Sequence, residues 1–355
     1  MRVCLLALEF FGWNRFGGVG KVTRELASGL AERGVEVSVV VPQARGMPRS
    51  IRIDGVDVHC FKYPEIPLLL ALLNRLEADV YHSQGLTPLT ALAKLVRAGG
   101  KHVVTFQNPR TREDWRLQES FYPPRRLLYN RFVEPALVPC VSRLDGVYCH
   151  ARYLVPKVKD MYGLGKPPGF LPNPVRVPSS PPRKSGAPVV VFLGRLDPVK
   201  NPGAFCRLAL SFPEAQFYVA GKGHSKAFES HIRGKFAGVR NLSFLGFVDG
   251  VEKEKLLDRA WVLVNTSFFE ALPVSFLEAA AHGCAILSPF DPDGFASRFG
   301  VHCPLERLRE GLEFLLEGDA WYEKGLRGFK YVREVHEHNS VVERHLSIYE
   351  RLLGA

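Results

Sequence analysis

At 355 residues the chain is longer than one hydrophobic core usually spans, so two domains are expected, and 46% hydrophobic with 23% charged residues is the balance of a soluble globular protein. No apolar run approaches the roughly 20 residues of a membrane helix. The longest is Ile66 to Leu73, and the first strand-like run is broken by Glu9 without a cleavage pattern, which argues against a signal peptide.

The net charge of +11 is unevenly spread, with nine Lys or Arg against three acids between Lys94 and Arg131. Nucleic acid, an anionic membrane, an anionic substrate and a merely solvated face all fit such a patch. No nucleic-acid-binding motif accompanies it, so no nucleic-acid partner is expected. The seven cysteines (Cys4, Cys60, Cys140, Cys149, Cys206, Cys284 and Cys303) are odd in number and show no metal spacing. They read as reduced core residues of a cytoplasmic protein.

In chain order, Arg2 to Pro42 predicts one βαβ unit. The strand VCLLAL leads to a Gly-rich loop, then to a helix striped by Val22, Leu26 and Leu30 and stopped by Gly34, and then to the strand VEVSVVV. The loop matches neither common phosphate-binding pattern. A Walker A loop requires Gly at position 15 and Ser or Thr at position 22, where the chain has Arg15 and Val22. A dinucleotide fingerprint requires a third Gly and an acid closing the second strand, where the chain has Thr23 and then Pro42-Gln43. What remains is Gly17-Gly18-x-Gly20 at a helix N-terminus, either a tight turn or a backbone that lies close to a phosphate or sugar.

Further strands are expected at VDVHCF (56–61), DVYHS (79–83), KHVVTF (101–106) and GVYCH (146–150), alternating with helices as in a doubly wound parallel sheet. His82 and Gln107 each close a strand, the end at which ligands sit in such sheets; each is a ligand contact or a hydrogen-bonded structural residue. Arg125, Arg126 and Arg131 alternate at helical spacing with Leu127, Leu128 and Phe132. This basic helix either packs its apolar side into the N-terminal domain or makes a peripheral contact with an anionic membrane through residues 125–132.

The Pro- and Ser-rich stretch before Val189 divides the chain. The expected organisation is an N-terminal domain over 1–175, a linker over 176–188, a C-terminal domain over 189–335 and a last helix over 336–355 that packs back on the N-terminal domain. A second βα series follows with VVVFLG (189–194), QFYVAGKG (216–223), NLSFLGF (241–247) and WVLVN (261–265). Its first turn, Gly194 to Pro202, carries Arg195 and Lys200, which suit a diphosphate or stand solvated.

The stretch Val262 to Pro289 then reads as strand, loop, helix and strand. Pro273 fits the first turn of a helix and biases Leu272 towards an extended conformation, so the loop ends there and Glu270 lies in it. Val274 to His282 reads as the helix, Gly283 as its stop, and Glu278 falls on the second turn. The two carboxylates are either a cap and a surface charge or acceptors for the hydroxyls of a ligand. Asp291-Pro-Asp293 mimics an Asp-x-Asp metal motif but sits in a Pro-flanked turn, where aspartate is common. Ser340-x-x-Glu343 predicts a capping box opening a final helix striped by Val342, Leu346, Tyr349 and Leu353.

Three motifs in order, GGVGK (17–21), GRLDPVK (194–200) and Glu270-x7-Glu278 running into EAAAHG, resemble the retaining family-4 glycosyltransferases of the GT-B fold, which are related to glycogen and starch synthases. The resemblance extends to Pro172-Asn173 and to the closing IYERLL. It implies an α/β protein of two Rossmann-like doubly wound parallel-sheet domains facing a central cleft, with acceptor bound by the first and nucleotide-diphospho-sugar by the second. The implied reaction moves a hexose to a sugar, glucan or lipid-linked acceptor, with no metal and no cofactor beyond the substrate donor.

Carried over by position, Arg195 and Lys200 hold the diphosphate, Glu270 contacts the transferred sugar, Leu272, Pro273 and Val274 line the donor and Glu278 meets the ribose. Gly17 and Gly18 close over the donor, while His82, Gln107 and Asn173 are candidates on the acceptor side. Two departures stand out. Members commonly carry a histidine where this chain has Gln107, and a glycine where Pro174 follows Asn173. A sugar-nucleotide epimerase and a non-catalytic sugar-nucleotide-binding protein of the same fold are the alternatives.

Overall fold

The computed structural model describes residues 1–12, 17–44, 46–97, 99–121 and 128–354. The chain divides into two compact units, Met1–Pro174 together with His338–Ala355, and Val175–Glu337.

In the first unit eight strands form one sheet: β1 (Arg2–Leu6), β2 (Glu36–Pro42), β3 (Ser50–Ile53), β4 (Val56–Phe61), β5 (Val80–Gln84), β6 (Lys101–Phe106), β7 (Gly146–Cys149) and β8 (Gly169–Phe170). Their order is β3-β4-β2-β1-β5-β6-β7-β8. The inner strands are β-branched runs buried on both faces, as helices on each side of a parallel sheet require. From β1 the chain winds outward through β2 and β4, then returns to β5 and winds the other way, so the order reverses between β1 and β5. That is the crevice where ligands bind in open α/β sheets.

All pairings are parallel except β3 with β4. This hairpin was not anticipated, although Asp54-Gly55 between alternating residues is its signal; both turn residues have positive φ, 51° and 78°.

The helix Gly18–Ala31 buries Val22, Leu26 and Leu30 against the sheet. The final helix, His338–Leu353, belongs to this unit and lies along it. Gly29 permits the approach, since a Cβ there would lie 2.6 Å from Val342 Cγ2. The final helix starts at His338, two residues ahead of the expected opening at Ser340, and Glu343 accepts a hydrogen bond from Arg33 Nε.

Six parallel strands form the sheet of the second unit: β9 (Val189–Leu193), β10 (Gln216–Ala220), β11 (Leu242–Gly246), β12 (Val262–Val264), β13 (Ala285–Ser288) and β14 (Gly300–His302). Their order is β11-β10-β9-β12-β13-β14, reversing between β9 and β12. Phe192, Phe205, Phe212 and Phe217 form an aromatic centre on one face. Trp261 stacks on Trp321 at 4.1 Å.

The stretch expected to be a free linker, 176–188, is strapped to this unit. Lys184 Nζ donates to the Leu257 carbonyl at 2.9 Å, Trp261 Nε1 donates to the Ser185 carbonyl at 2.9 Å, and Ser185 Oγ donates to the Arg259 carbonyl at 2.8 Å. These hydrogen bonds give the segment a fixed path that its Pro-rich composition does not announce.

Of the basic segment 125–132, Arg125, Arg126 and Leu127 lie outside the described residues. Leu128 and Phe132 are 59% and 64% exposed, so they do not pack into the domain. All seven cysteines are free thiols. Among the described residues no helix is long and apolar enough to cross a membrane.

Candidate active site

At the carboxyl end of β9 the chain turns sharply, and the turn is held by the loop that follows β10. Gly194 N–H donates to the Ala220 carbonyl at 3.0 Å and Leu196 N–H to the Lys222 carbonyl at 3.2 Å. A Cβ on Gly221 would lie 1.8 Å from the Gly194 oxygen, so the two loops touch backbone to backbone. Glu229 anchors the second loop by accepting the Gly223 N–H at 3.0 Å, which holds its carboxyl below the usual range.

Arg195 emerges from this turn with its side chain 41% exposed and its Nε 3.3 Å from Asp197 Oδ2. The same carboxylate accepts the backbone N–H of His224 at 3.0 Å and meets His224 Nδ1 at 3.0 Å.

Lys200 closes a short 3-10 turn, Pro198–Lys200, and Asn201 takes a left-handed conformation at φ 46° before Pro202 opens the next helix. The loop after β12 is stitched to this turn. Thr266 Oγ1 donates to the carbonyls of Lys200 and Asn201, both at 2.9 Å, and Phe268 N–H donates to the Val199 carbonyl at 2.8 Å. The stitching brings Lys200 Nζ into an ion pair with Glu270 Oε1. That oxygen also accepts from Ser267 Oγ at 2.7 Å and Asn265 Nδ2 at 3.1 Å. Glu270 Oε2 receives no donor among the described residues. One oxygen is fixed by three donors while the other stays open to a hydroxyl.

Glu270 is a loop residue, as expected, and Leu272 is buried beneath the loop. Pro273 stands at the N-cap in an extended conformation, one residue ahead of the first turn in which it was expected, and Val274 begins the helix Val274–Ala281. Glu278 is buried on that helix, not solvated. Its Oε1 lies 3.0 Å from Lys253 Nζ, which also contacts Asp249 Oδ1 at 2.8 Å. Sequence reading did not single out Lys253, Asn265 or Ser267. Asp249 and Lys253 at helical i, i+4 spacing were the available signal for the first, and the Asn-Thr-Ser run closing β12 for the others. Asp291, of the Asp-x-Asp mimic, accepts the Ser297 N–H at 3.0 Å, and the described residues hold no cluster of three metal-binding side chains.

In the first unit Gly17 is the N-cap and Gly18 the first residue of the helix after β1. Glu9, missed by sequence reading, lies across both glycine positions of that turn. A Cβ on Gly17 would be 2.1 Å from Glu9 Oε2 and one on Gly20 3.0 Å from Glu9 Cβ. A carboxylate here favours hydroxyls over phosphate.

His82 corrects an expectation. It is wholly buried, with Nδ1 2.6 Å from the Tyr349 hydroxyl and Nε2 2.8 Å from Thr105 Oγ1, so it faces the final helix and cannot touch an acceptor. Burial, with His345 beside it, pushes its imidazole well below the ordinary histidine range. Gln107 and Asn173 do come together. Gln107 Nε2 donates to Asn173 Oδ1 and Asn173 Nδ2 donates back to Gln107 Oε1, both at 3.0 Å.

Two parallel-sheet α/β units, the second carrying paired cations and carboxylates where its strand order reverses, define the GT-B architecture of nucleotide-sugar transferases. Residues 16–177 match the family model described as Glycosyltransferase Family 4, and residues 177–296 match that described as Glycosyl transferases group 1. The chain belongs to the family-4 glycosyltransferases of the GT-B fold and is a glycosyltransferase.

Among solved structures it resembles sucrose-phosphate synthase from Thermosynechococcus elongatus, with TM-score 0.76, 14% identity and 99% of each chain covered. It also resembles a point mutant of S. aureus TarM in complex with fondaparinux, α-GlcNAc-glycerol and UDP, with TM-score 0.74 and 11% identity over 98% of this chain and 100% of that one. Anabaena Alr3699/HepE, in complex with UDP and glucose, gives TM-score 0.73 and 12% identity over 97% and 98%. At these identities the likeness is one of fold. No curated protein matches the sequence.

Proposed function

We propose that the enzyme moves a hexose from a nucleoside-diphosphate sugar to a hydroxyl of a sugar, glucan or lipid-linked acceptor in the cytoplasm, with retention of anomeric configuration and without a metal. The observation that carries the reading is the pairing of Lys200 with Glu270, Lys200 sharing its loop with the partly exposed Arg195.

A departing nucleoside diphosphate develops negative charge, and cations already in place stabilise it without reorganisation. Arg195 binds it by a bidentate contact and Lys200 as a point charge. The open Oε2 of Glu270 accepts from hydroxyls of the transferred sugar, and Glu278, steadied by Lys253, accepts from the ribose diol. In a front-face displacement the donor's own phosphate helps remove the acceptor proton, so no protein nucleophile forms a bond. Exposed Leu128 and Phe132 flanking Arg131 support peripheral contact with an anionic membrane, which would present a lipid-linked acceptor.

A thermal-shift panel of nucleoside diphosphates and their sugars tests the donor, because a bound ligand raises stability by mass action. UDP is the first member to try, since two of the similar structures hold it. NMR of the product tests the stereochemistry. An α-linked donor gives an α-linked product, and turnover survives EDTA; a β-linked product refutes retention.

A further inference from the structure

We propose that the carboxyl edge of the first sheet holds a subsite for a neutral sugar hydroxyl, and that its hydrogen-bond donor is the carboxamide of Gln84. This rests on the glycosyltransferase reading and supplies a contact that reading lacks, now that His82 is removed from the acceptor side.

The residues come from adjacent strand ends. Gln84 is the last residue of β5, Gln107 follows β6, His150 follows β7 and Asn173 lies beyond β8. Strand β5 adjoins β1, after which Gly17 and Gly18 begin their helix, so Gln84 stands at the reversal of strand order where ligands bind.

The network also fixes which way each amide points. His150 Nε2 donates to the Gln107 carbonyl at 2.7 Å, and Asn173 Nδ2 donates to His150 Nδ1 at 3.3 Å. Asn173 is thereby oriented, and it orients Gln107, whose Nε2 donates to Asn173 Oδ1 at 3.0 Å and to Gln84 Oε1 at 3.1 Å. A flipped Gln84 would set one NH2 against another, so its Nε2 is held on the far side. There it is buried and has no partner among the described residues.

A buried amide donor left unpaired is rare, because it has lost water without replacement. Here both of its hydrogens are unspent, beside the carboxamide of Gln107 and, through it, that of Asn173. The donor is itself an uncharged amide, which matches an uncharged hydroxyl oxygen rather than a phosphate or carboxylate, whose hydrogen bonds are strongest with cations. That oxygen belongs to the acceptor or to the transferred sugar.

The test uses the full chain and Gln84→Met, which keeps the side-chain length and removes the amide. The Gln84 side-chain resonance is assigned by its disappearance in the variant, and methyl hexopyranosides and maltose are titrated into the wild type. A shift of that resonance by at least one sugar is expected; no shift with any of them overturns the proposal whether or not transfer is observed.

In steady-state transfer the variant is expected to raise the KM of the sugar it binds about ten-fold, the scale of one lost hydrogen bond, with nucleoside diphosphate affinity unchanged. A deoxy analogue lacking the bonded hydroxyl should then be used equally by wild type and variant. A deoxy acceptor doing so assigns the contact to the acceptor, and a deoxy donor assigns it to the transferred sugar. A folded variant with unchanged KM for both substrates would show that the amide holds only a water. Failure of all nucleotide sugars to support transfer by the wild type, while the resonance still shifts, would sink the glycosyltransferase reading and leave the subsite standing.

Discussion

Replacing Lys253 with Met should expose how tightly the second unit depends on one buried ion pair. Lys253 and Glu278 have side chains only 8% and 11% exposed, with Nζ and Oε1 3.0 Å apart. Methionine fills much of the space but withdraws the Lys253 ammonium from the Glu278 carboxylate in a site that water barely reaches. Asp249, 35% exposed, can rehydrate, so the cost falls on Glu278. Breaking one side of a buried pair typically costs about 3–5 kcal/mol. In a unit of this size each kcal/mol moves Tm by about 2–4 °C, so a drop of roughly 6–20 °C follows for the transition of that unit. Replacing both residues, Lys253→Met with Glu278→Leu, removes the buried carboxylate together with its lysine and should recover most of the loss. Calorimetry of the two variants and the wild type decides the matter. A single variant that melts within about 1 °C of wild type would refute the idea that Lys253 neutralises Glu278, because no solvated pair could behave as the burial requires.

Three other perturbations follow from the same geometry. Arg195→Ala and Lys200→Ala should each lower kcat about ten-fold or more, and unchanged turnover in both would remove them from the leaving-group site. Gly221→Ala places a Cβ 1.8 Å from the Gly194 oxygen at φ +149°, so it should displace the Arg195 turn and weaken nucleotide binding more than ten-fold by calorimetry; wild-type affinity would contradict the packing of the two loops. Burial lowers His345 to about 4, below its unfolded value near 6.5, so its contribution is complete above pH 6.5 and is lost as pH falls towards 4. Urea unfolding of the first unit should lose about 3 kcal/mol across that window from His345 alone, and His345→Leu should flatten the slope.

The local pattern was enough to place the layers. Runs such as VCLL, VVV and VLV are apolar and unbroken because both faces of a parallel strand are covered, and that requirement is written into each strand separately. The stops are equally local. Gly283 must turn at φ 72°, a conformation that suits glycine, and Pro273 cannot sit inside a helix, so the loop bearing Glu270 and the helix bearing Glu278 were both legible. The Asp54-Gly55 turn of the β3–β4 hairpin carries an equally local signal.

Partnership was not legible, because a charge or an imidazole takes its meaning from atoms far along the chain. Glu270 meets Lys200 across 70 positions, Glu278 meets Lys253 across 25, and His82 meets Tyr349 across 267. The same glutamate could have capped a helix on the surface, and the same histidine could have faced a ligand. What decided otherwise was the docking of the Val199 turn against the Thr266 loop and of the final helix against the first sheet. Those contacts exclude water around a few polar atoms, and an enclosed polar atom is stable chiefly where the fold brings it a partner.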